Sequence, residues 1–239
     1  MPPTPGRDES EASLLRVLRS VDWSRSALSL SDPLHQQLAA LAIAEGGIAC
    51  HPFANFYVFT ARPAEALVQH VNQAKGRPLD QTGSVVTTPE HIPSLFDWAA
   101  LPAGLERERV LALIQALLEL GPFGFRGPAA ADLPPYLTAQ AGPLRTVQVV
   151  SPGFACPSNR LFAGALARIP QRYLYGTSAN RSRRLTGAAD EPVHYELPPL
   201  QAEFGRVPGF FMLAEGRSAR AYGCTRACRP ACSRSTPGG

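Results

Sequence analysis

The sequence predicts an α/β domain with a mixed sheet over residues 34–213. Short β-branched and aromatic runs alternate with stretches whose apolar residues recur at three-and-four spacing, the order expected when strands and helices succeed one another. Most of those helical stretches end in Gly or Pro, which stop a helix and turn the chain. At 239 residues and 45% hydrophobic, the chain is long enough to bury one sizeable core. No internal repeat is visible.

The elements follow in order. Residues 1–30 form an N-terminal extension in which 1–9 are Pro-rich, polar and expected to lack order. Leu14, Leu15, Val17 and Leu18 make a short amphipathic helix. A polar bridge covers 24–31, and the main domain is expected to span 31–213. Ser31-Asp32-Pro33 starts a helix that continues through Leu38, Leu41 and Ile43 and ends at Gly46-Gly47. Gly47-Ile48-Ala49-Cys50-His51-Pro52 reads as a buried strand stopping at Pro52, and Phe56-Tyr57-Val58-Phe59 as a second. A helix follows from Pro63, with Ala64, Leu67, Val68, Val71 and Ala74 on one stripe. Ser84-Val85-Val86-Thr87-Thr88 is strand-like, 89–98 a short helix, and 105–120 a longer helix that stops at Gly121-Pro122. Residues 128–143 read as a connector, 145–150 as a strand, 158–169 as a helix opened by Ser158, and 172–177 as a strand running into Ser178-Ala179-Asn180.

Charge and cysteine content exclude some functions. The net charge of +4 belongs to the end of the chain, because 206–239 hold six Arg and one Glu and residues 1–205 sum to −1. A body near neutrality gives little electrostatic footing for a nucleic-acid backbone. There is no run of about 18 apolar residues and no basic-then-apolar leader, so a cytoplasmic protein without a membrane segment is expected. Cys50 and Cys156 sit among apolar residues as simple buried thiols. Cys224, Cys228 and Cys232 are spaced C-x3-C-x3-C, but Pro230 interrupts them and no fourth ligand is near, so no metal site is expected. From about Gly216 the composition shifts abruptly to Arg, Cys, Ala and Pro, as in a high-GC coding sequence translated out of frame, and 214–239 are expected to form an irregular tail.

Lys75 is the only lysine among 23 basic residues. In Ala74-Lys75-Gly76-Arg77-Pro78 an ammonium and a guanidinium share one turn at a helix end. One reading is a helix terminus whose cations offset the dipole, with Gly and Pro as stops. The other is an anion clamp, a point charge beside a planar fork suited to a polyphosphate or carboxylate. Tyr175-Gly176-Thr177-Ser178-Ala179-Asn180 offers two hydroxyls, an amide and a glycine backbone, which can be an ordinary turn or a phosphate or ribose contact.

Together these stretches resemble the YrdC-like family of L-threonylcarbamoyladenylate synthases. The resemblance is carried by Gly46-Gly47-Ile48-Ala49-Cys50-His51-Pro52, then Tyr57, Lys75-Gly76-Arg77-Pro78, Leu120-Gly121-Pro122-Phe123 and Thr177-Ser178-Ala179-Asn180. It covers about residues 35–205. It implies an open, twisted mixed α/β sheet around a central, positively lined cavity for ATP, bicarbonate and L-threonine. The implied reaction is nucleotidyl transfer: a threonine carbamate attacks the α-phosphorus of ATP, and partner proteins use the adenylate for tRNA modification at adenosine 37. On that resemblance Lys75 and Arg77 serve catalysis and bind the triphosphate together with Thr177, Ser178 and Asn180. Pro52, Asn55 and Tyr57 border the amino-acid pocket. Mg²⁺ would arrive on the nucleotide's own oxygens. The same family implies a second class, a double-stranded RNA-binding module, and the altered Phe53-Ala54-Asn55 stretch suggests a third, an inactive or repurposed paralogue.

The departures are specific. Where the family reads Pro-Thr-Asp-Thr-x-Tyr-Gly, this chain has Pro52-Phe53-Ala54-Asn55-Phe56-Tyr57-Val58. Two hydroxyls and a carboxylate are lost beside the amino-acid pocket, which weakens discrimination for a threonine hydroxyl. Thr82-Gly83 replaces a Pro-Leu pair, Val150 stands where an Arg is common, and Ser182-Arg183 replaces Ser-Gly. His51 either faces the cavity or packs as a hydrogen-bonded core histidine. His70, His91 and His194 show no pairing in the sequence. Glu106, Arg107, Glu108 and Arg109 read as a solvated helix start, and Phe96 with Trp98 as core.

Overall fold

The structure, a computed structural model, describes residues 6–53, 56–182 and 194–215. Its elements are α1 (Gly6–Ser20), β1 (Leu28–Ser29), α2 (Pro33–Ala44), β2 (Ile48–Phe53), β3 (Phe56–Ala61), α3 (Glu65–Lys75) and β4 (Ser84–Val86). They continue with α4 (Arg107–Leu120), β5 (Phe123–Pro128), β6 (Ala139–Ala141), β7 (Leu144–Ser151), α5 (Ser158–Leu166), β8 (Leu174–Ser178), α6 (Leu197–Phe204) and β9 (Phe210–Ala214). Among the described residues the sheet is mixed, in the order β1-β9-β2-β3-β8-β4-β7-β5, with β6 pairing β7. The α/β mixed sheet expected from the alternating pattern is the architecture found.

Several boundaries differ from the sequence reading, each for a physical reason. Residues 6–9 belong to α1 despite their polarity. The stretch read as a polar bridge contains β1, which pairs in parallel with β9 through Leu28 and Leu213, a partner that no local pattern reveals. The short helix at 89–98 is two 3₁₀ segments, Pro89–Leu95 and Trp98–Ala100, because Pro93 cannot donate to a continuing α-helix. Residues 123–128, given no element, form β5 along β7, and the 128–143 connector contains β6. Ser158 is the first residue of α5 rather than its cap, and its hydroxyl donates to the Pro52 carbonyl at 3.3 Å.

The register sorts side chains between two faces, since successive strand residues point in opposite directions. Cys50 pairs with Phe59, and Phe59 with Thr177, so Cys50, Tyr57, Phe59, Tyr175 and Thr177 share one face. This face carries α3 and α6. Phe59 is fully buried there, with Phe204 and Phe210 edge-on at centroid distances of 4.9 and 5.0 Å. Burying a phenylalanine contributes about 1.5–3 kcal/mol, and each aromatic pair about 0.5–1.5 more.

The opposite face carries His51, Phe53 and Thr60 against α5. His51 is the packed histidine and not a cavity residue: its ring bonds the Pro52 carbonyl and Thr60 Oγ1, both at 2.9 Å, and meets Phe162 edge-on. Burial lowers its pKa to about 4, with the Pro52 carbonyl opposing that shift. The Glu106 to Arg109 start of α4 is solvated as read, with an exposed Glu106–Arg109 pair at 2.9 Å. Among the described residues no helix is long and apolar enough to cross a membrane.

Candidate functional site

The site gathers at one end of the sheet, where α3 and β8 stop and β3 begins. Val68, Val71, Asn72 and Lys75 are the buried residues of α3, so the stripe that packs the helix also carries its last residue inward. Gly76 then takes a left-handed conformation, φ 67° and ψ 36°, which favours glycine. Its N–H donates to Gln73 and the Arg77 N–H to Asn72, at 3.0 and 2.9 Å, closing the helix in a Schellman-type turn. Asn72 Nδ2 donates to the Leu79 and Gln81 carbonyls at 3.0 and 2.8 Å and fixes the turn beyond.

Lys75 is fully buried. An unpaired ammonium at such a position would be costly, and this one is paired. Its Nζ donates to the Ser178 carbonyl, to Ser178 Oγ at 3.4 Å and to Asn180 Oδ1 at 3.3 Å. It also lies 5.8 Å from the Phe59 ring centroid. The Lys75 carbonyl accepts from the Ser182 N–H at 2.8 Å, so the turn after β8 is held on both sides of the lysine. Arg77 donates to Thr177 Oγ1 at 2.7 Å, while its Nε is buried without a partner. The structure thus brings Lys75, Arg77, Thr177, Ser178 and Asn180 together across about a hundred residues of chain.

Pro52 and Tyr57 are register partners one pair in from the turn end of the β2–β3 hairpin, and Tyr57 accepts the Ala179 N–H at 2.8 Å through its carbonyl. Asn55 lies outside the described residues. Burial pushes the Tyr57 phenol well up, with the Glu215 carboxylate and Cys50 adding to the shift. Burial also raises Glu215, and raises Cys50 strongly against the opposing charge of Lys75. Phe53, at a family hydroxyl position, is turned into the core against Phe56 and Phe162, each 6.3 Å away between centroids.

Other polar residues at this end were not assigned from the sequence. His194, read as unpaired, binds Glu203, and Arg181 Nε binds the other oxygen of the same carboxylate at 2.8 Å. The His194 carbonyl accepts the Tyr57 N–H at 2.9 Å. No local signal announces this clamp, because its members come from a turn, a connector and α6. Tyr175, two residues before Thr177, is fully buried with its hydroxyl beside the Arg77 guanidinium; burial pushes the phenol up to about 12, with the charge and hydrogen bonding of Arg77 opposing the rise. Among the described residues no group of three or more His, Cys, Asp or Glu could hold a metal ion.

Among the described residues, cavities also lie elsewhere. One of about 580 Å³ is bounded by α1, Trp23, Gly46-Gly47 and the turn before β9. One of about 250 Å³ lies between Glu65, Leu79 and Tyr136. Neither is lined by Lys75, Arg77 or the end of β8.

No family model matches the sequence, and no curated protein matches it. Solved structures do. A double variant of P. abyssi Sua5 matches with a TM-score of 0.58 and 21% identity, over 77% of this chain and 50% of that one. P. abyssi Sua5 complexed with L-threonine matches at 0.56 and 22%, over 77% and 48%. E. coli YciO matches at 0.54 and 11%, over 77% and 79%. The chain spans about half the length of the Sua5 proteins it matches. The chain therefore has the YrdC-like fold, shared with Sua5 and YciO.

Proposed function

We propose that the protein is a nucleotide-dependent enzyme that condenses ATP, bicarbonate and L-threonine or a related amino acid to a carbamoyl-adenylate and pyrophosphate. The observation that carries this reading is the meeting of Lys75 and Arg77 with Thr177, Ser178 and Asn180 at one end of the sheet. The fold, and the presence of L-threonine in the similar Sua5 structure, support it.

In the proposed reaction the amino group and bicarbonate form a carbamate and water. The carbamate oxygen then bonds to the α-phosphorus as the bond to the pyrophosphate oxygen breaks. Negative charge grows on the leaving group, so the protein's contribution is placement and fixed positive charge, with no protein nucleophile required. Arg77 offers a planar fork beside Thr177. The buried ammonium of Lys75 supplies fixed charge and holds Ser178 and Asn180 in place. Mg²⁺ would travel on the triphosphate oxygens, and the adenylate would serve partner proteins that modify tRNA.

A second reading keeps the nucleotide and changes the acceptor. It is favoured by Phe53, whose ring is committed to the core and leaves the amino-acid side without that family hydroxyl. A pyrophosphate-release screen over the amino acids, with and without bicarbonate, tests both. Bicarbonate-dependent release with threonine supports the first, and release with another amino acid alone the second. ATP binding without release from any amino acid overturns the enzymatic reading.

A further inference from the structure

Helix α4 carries two apolar faces, and its own domain uses one of them. Ile114 and Leu118 are buried against the domain, and Arg107 lies over the Trp98 ring at 5.5 Å. Turned away from these are Leu113, 59% exposed, and Leu120, 74% exposed, with Val110 and Leu117 partly buried beside them. Phe154, 45% exposed, is tied to the end of the helix by its N–H, which donates to the Leu118 carbonyl at 3.1 Å. One apolar stripe suffices to hold a surface helix to its domain, so a second contiguous one marks a contact surface.

The spacing says what the surface fits. Val110, Leu113, Leu117 and Leu120 recur at alternating intervals of three and four, the a and d positions of a helix that packs along another helix. Ala116, beside that seam, is small enough to let a second helix come close. Against an antiparallel copy of itself the pattern is self-complementary: Val110 meets Leu120 of the second copy and Leu113 meets its Leu117, in both directions. Charge selects the same orientation. The last turn of α4 has no basic residue and carries Glu119, which sets an acid at the negative end of the helix dipole. In the first turn Arg109 is held by an exposed ion pair with Glu106 alone, a weak restraint. An antiparallel copy brings each Arg109 to the other's Glu119 and helix C-terminus, whereas a parallel copy would set like ends together.

We propose that the outward face of α4 is a dimer interface, on which a second copy of this chain docks its own α4 antiparallel about a two-fold axis. The helix has 14 residues and so is about 21 Å long. A face of that length falls short of the ~800 Å² per partner of a standard interface, so the dimer exchanges with monomer. Lys75, Arg77 and the end of β8 take no part, and the inference is independent of the nucleotide reading.

The test is sedimentation equilibrium of the full chain from about 1 to about 300 µM, the span over which so small an interface associates. The wild type is expected to pass from monomer to dimer as concentration rises. Leu113→Glu and Leu120→Glu should each weaken the dimer at least about 10-fold, with the thermal midpoint of the dilute monomer unchanged because both positions are exposed. Leu34→Glu is the control: the residue is 61% exposed on α2, and its change should leave association as it was. Arg109→Glu should weaken the dimer, and Arg109→Glu combined with Glu119→Arg should restore it, since the charges are then exchanged across the antiparallel seam. A wild type that stays monomeric throughout overturns the inference, and so does a dimer that both leucine variants leave intact. A double charge variant that recovers no affinity overturns the antiparallel arrangement. Monomeric wild type that binds an apolar dye, lost in Leu113→Glu, also overturns it and gives the face to a partner other than a second copy.

Discussion

Lys75 Nζ lies 3.3 Å from Asn180 Oδ1, a contact that spans 105 residues and joins the last turn of α3 to the turn after β8. The lysine is therefore a strut as well as a charge. Its hydrogens go to Ser178 and Asn180, and its carbonyl holds Ser182.

Lys75→Met removes both roles at once, and unfolding and turnover report on them separately. It retains most of the apolar stem, removes the charge and leaves the Ser178 carbonyl and Asn180 Oδ1 short of a donor. A loss of about 1–3 kcal/mol in urea unfolding is expected, with pyrophosphate release falling at least about 100-fold. Turnover that persists in the variant would remove the lysine from the proposed chemistry.

Gly83 and Tyr175 are expected to behave as a pair. Gly83→Ala sets a methyl carbon against the Tyr175 ring and should cost about 1–3 kcal/mol. Tyr175→Val opens that space. The double variant should then be more stable than the sum of the single changes predicts, by about 1 kcal/mol or more in a double-mutant cycle. Additive effects would show that the two do not share the space.

His51 imposes a pH dependence whose sign follows from its burial. Its folded pKa, about 4, lies below the ordinary value of 6.5, so the unfolded chain takes up the proton first. Stability from this group is complete above pH 6.5 and falls as the pH drops towards 4, reaching a loss of about 3 kcal/mol below that. Denaturant titrations at pH 7, 5.5 and 4 should show the decline in the wild type and a shallower one in His51→Gln. Equal slopes would place the acid sensitivity elsewhere.

Glu203 holds Arg181 and His194 with one carboxylate, and His194 in turn holds the start of β3 through its carbonyl. Glu203→Gln keeps the shape and removes the charge. Because all three side chains are partly exposed, a loss of only about 1 kcal/mol is expected. If the proposed ATP-dependent reaction holds, the informative readout is the Michaelis constant for ATP, which should rise several-fold as the adjoining Asn180 loosens, with kcat less affected. An unchanged Michaelis constant would confine the clamp to stability.

Local patterns made several elements legible. Asp32-Pro33 announces α2, and the structure gives Asp32 the cap, accepting from the Leu34 and His35 N–H groups. The valine stripe at 68 and 71 announces α3, and Gly76 its end. β1 and β5 were not legible, because neither carries a strong strand signature of its own. Leu28-Ser29 is extended by its parallel neighbour Leu213-Ala214, and Phe123-Gly124-Phe125 by antiparallel pairing with β7. For such segments tertiary partners outweigh propensity.

At the site the division is similar. The sequence by itself determined that one lysine would end a helix beside an arginine and that Thr177-Ser178-Asn180 would follow a strand, since spacing and stop residues are local. Only the tertiary structure decided that these stretches meet, that Lys75 is buried and paired, and that Glu203 clamps Arg181 and His194. It also decided that the Tyr175 ring fills the space left open by Gly83 and sets its hydroxyl beside Arg77. Those facts depend on the β3–β8 register and on the face each strand turns to α3, which are set by packing between segments a hundred residues apart.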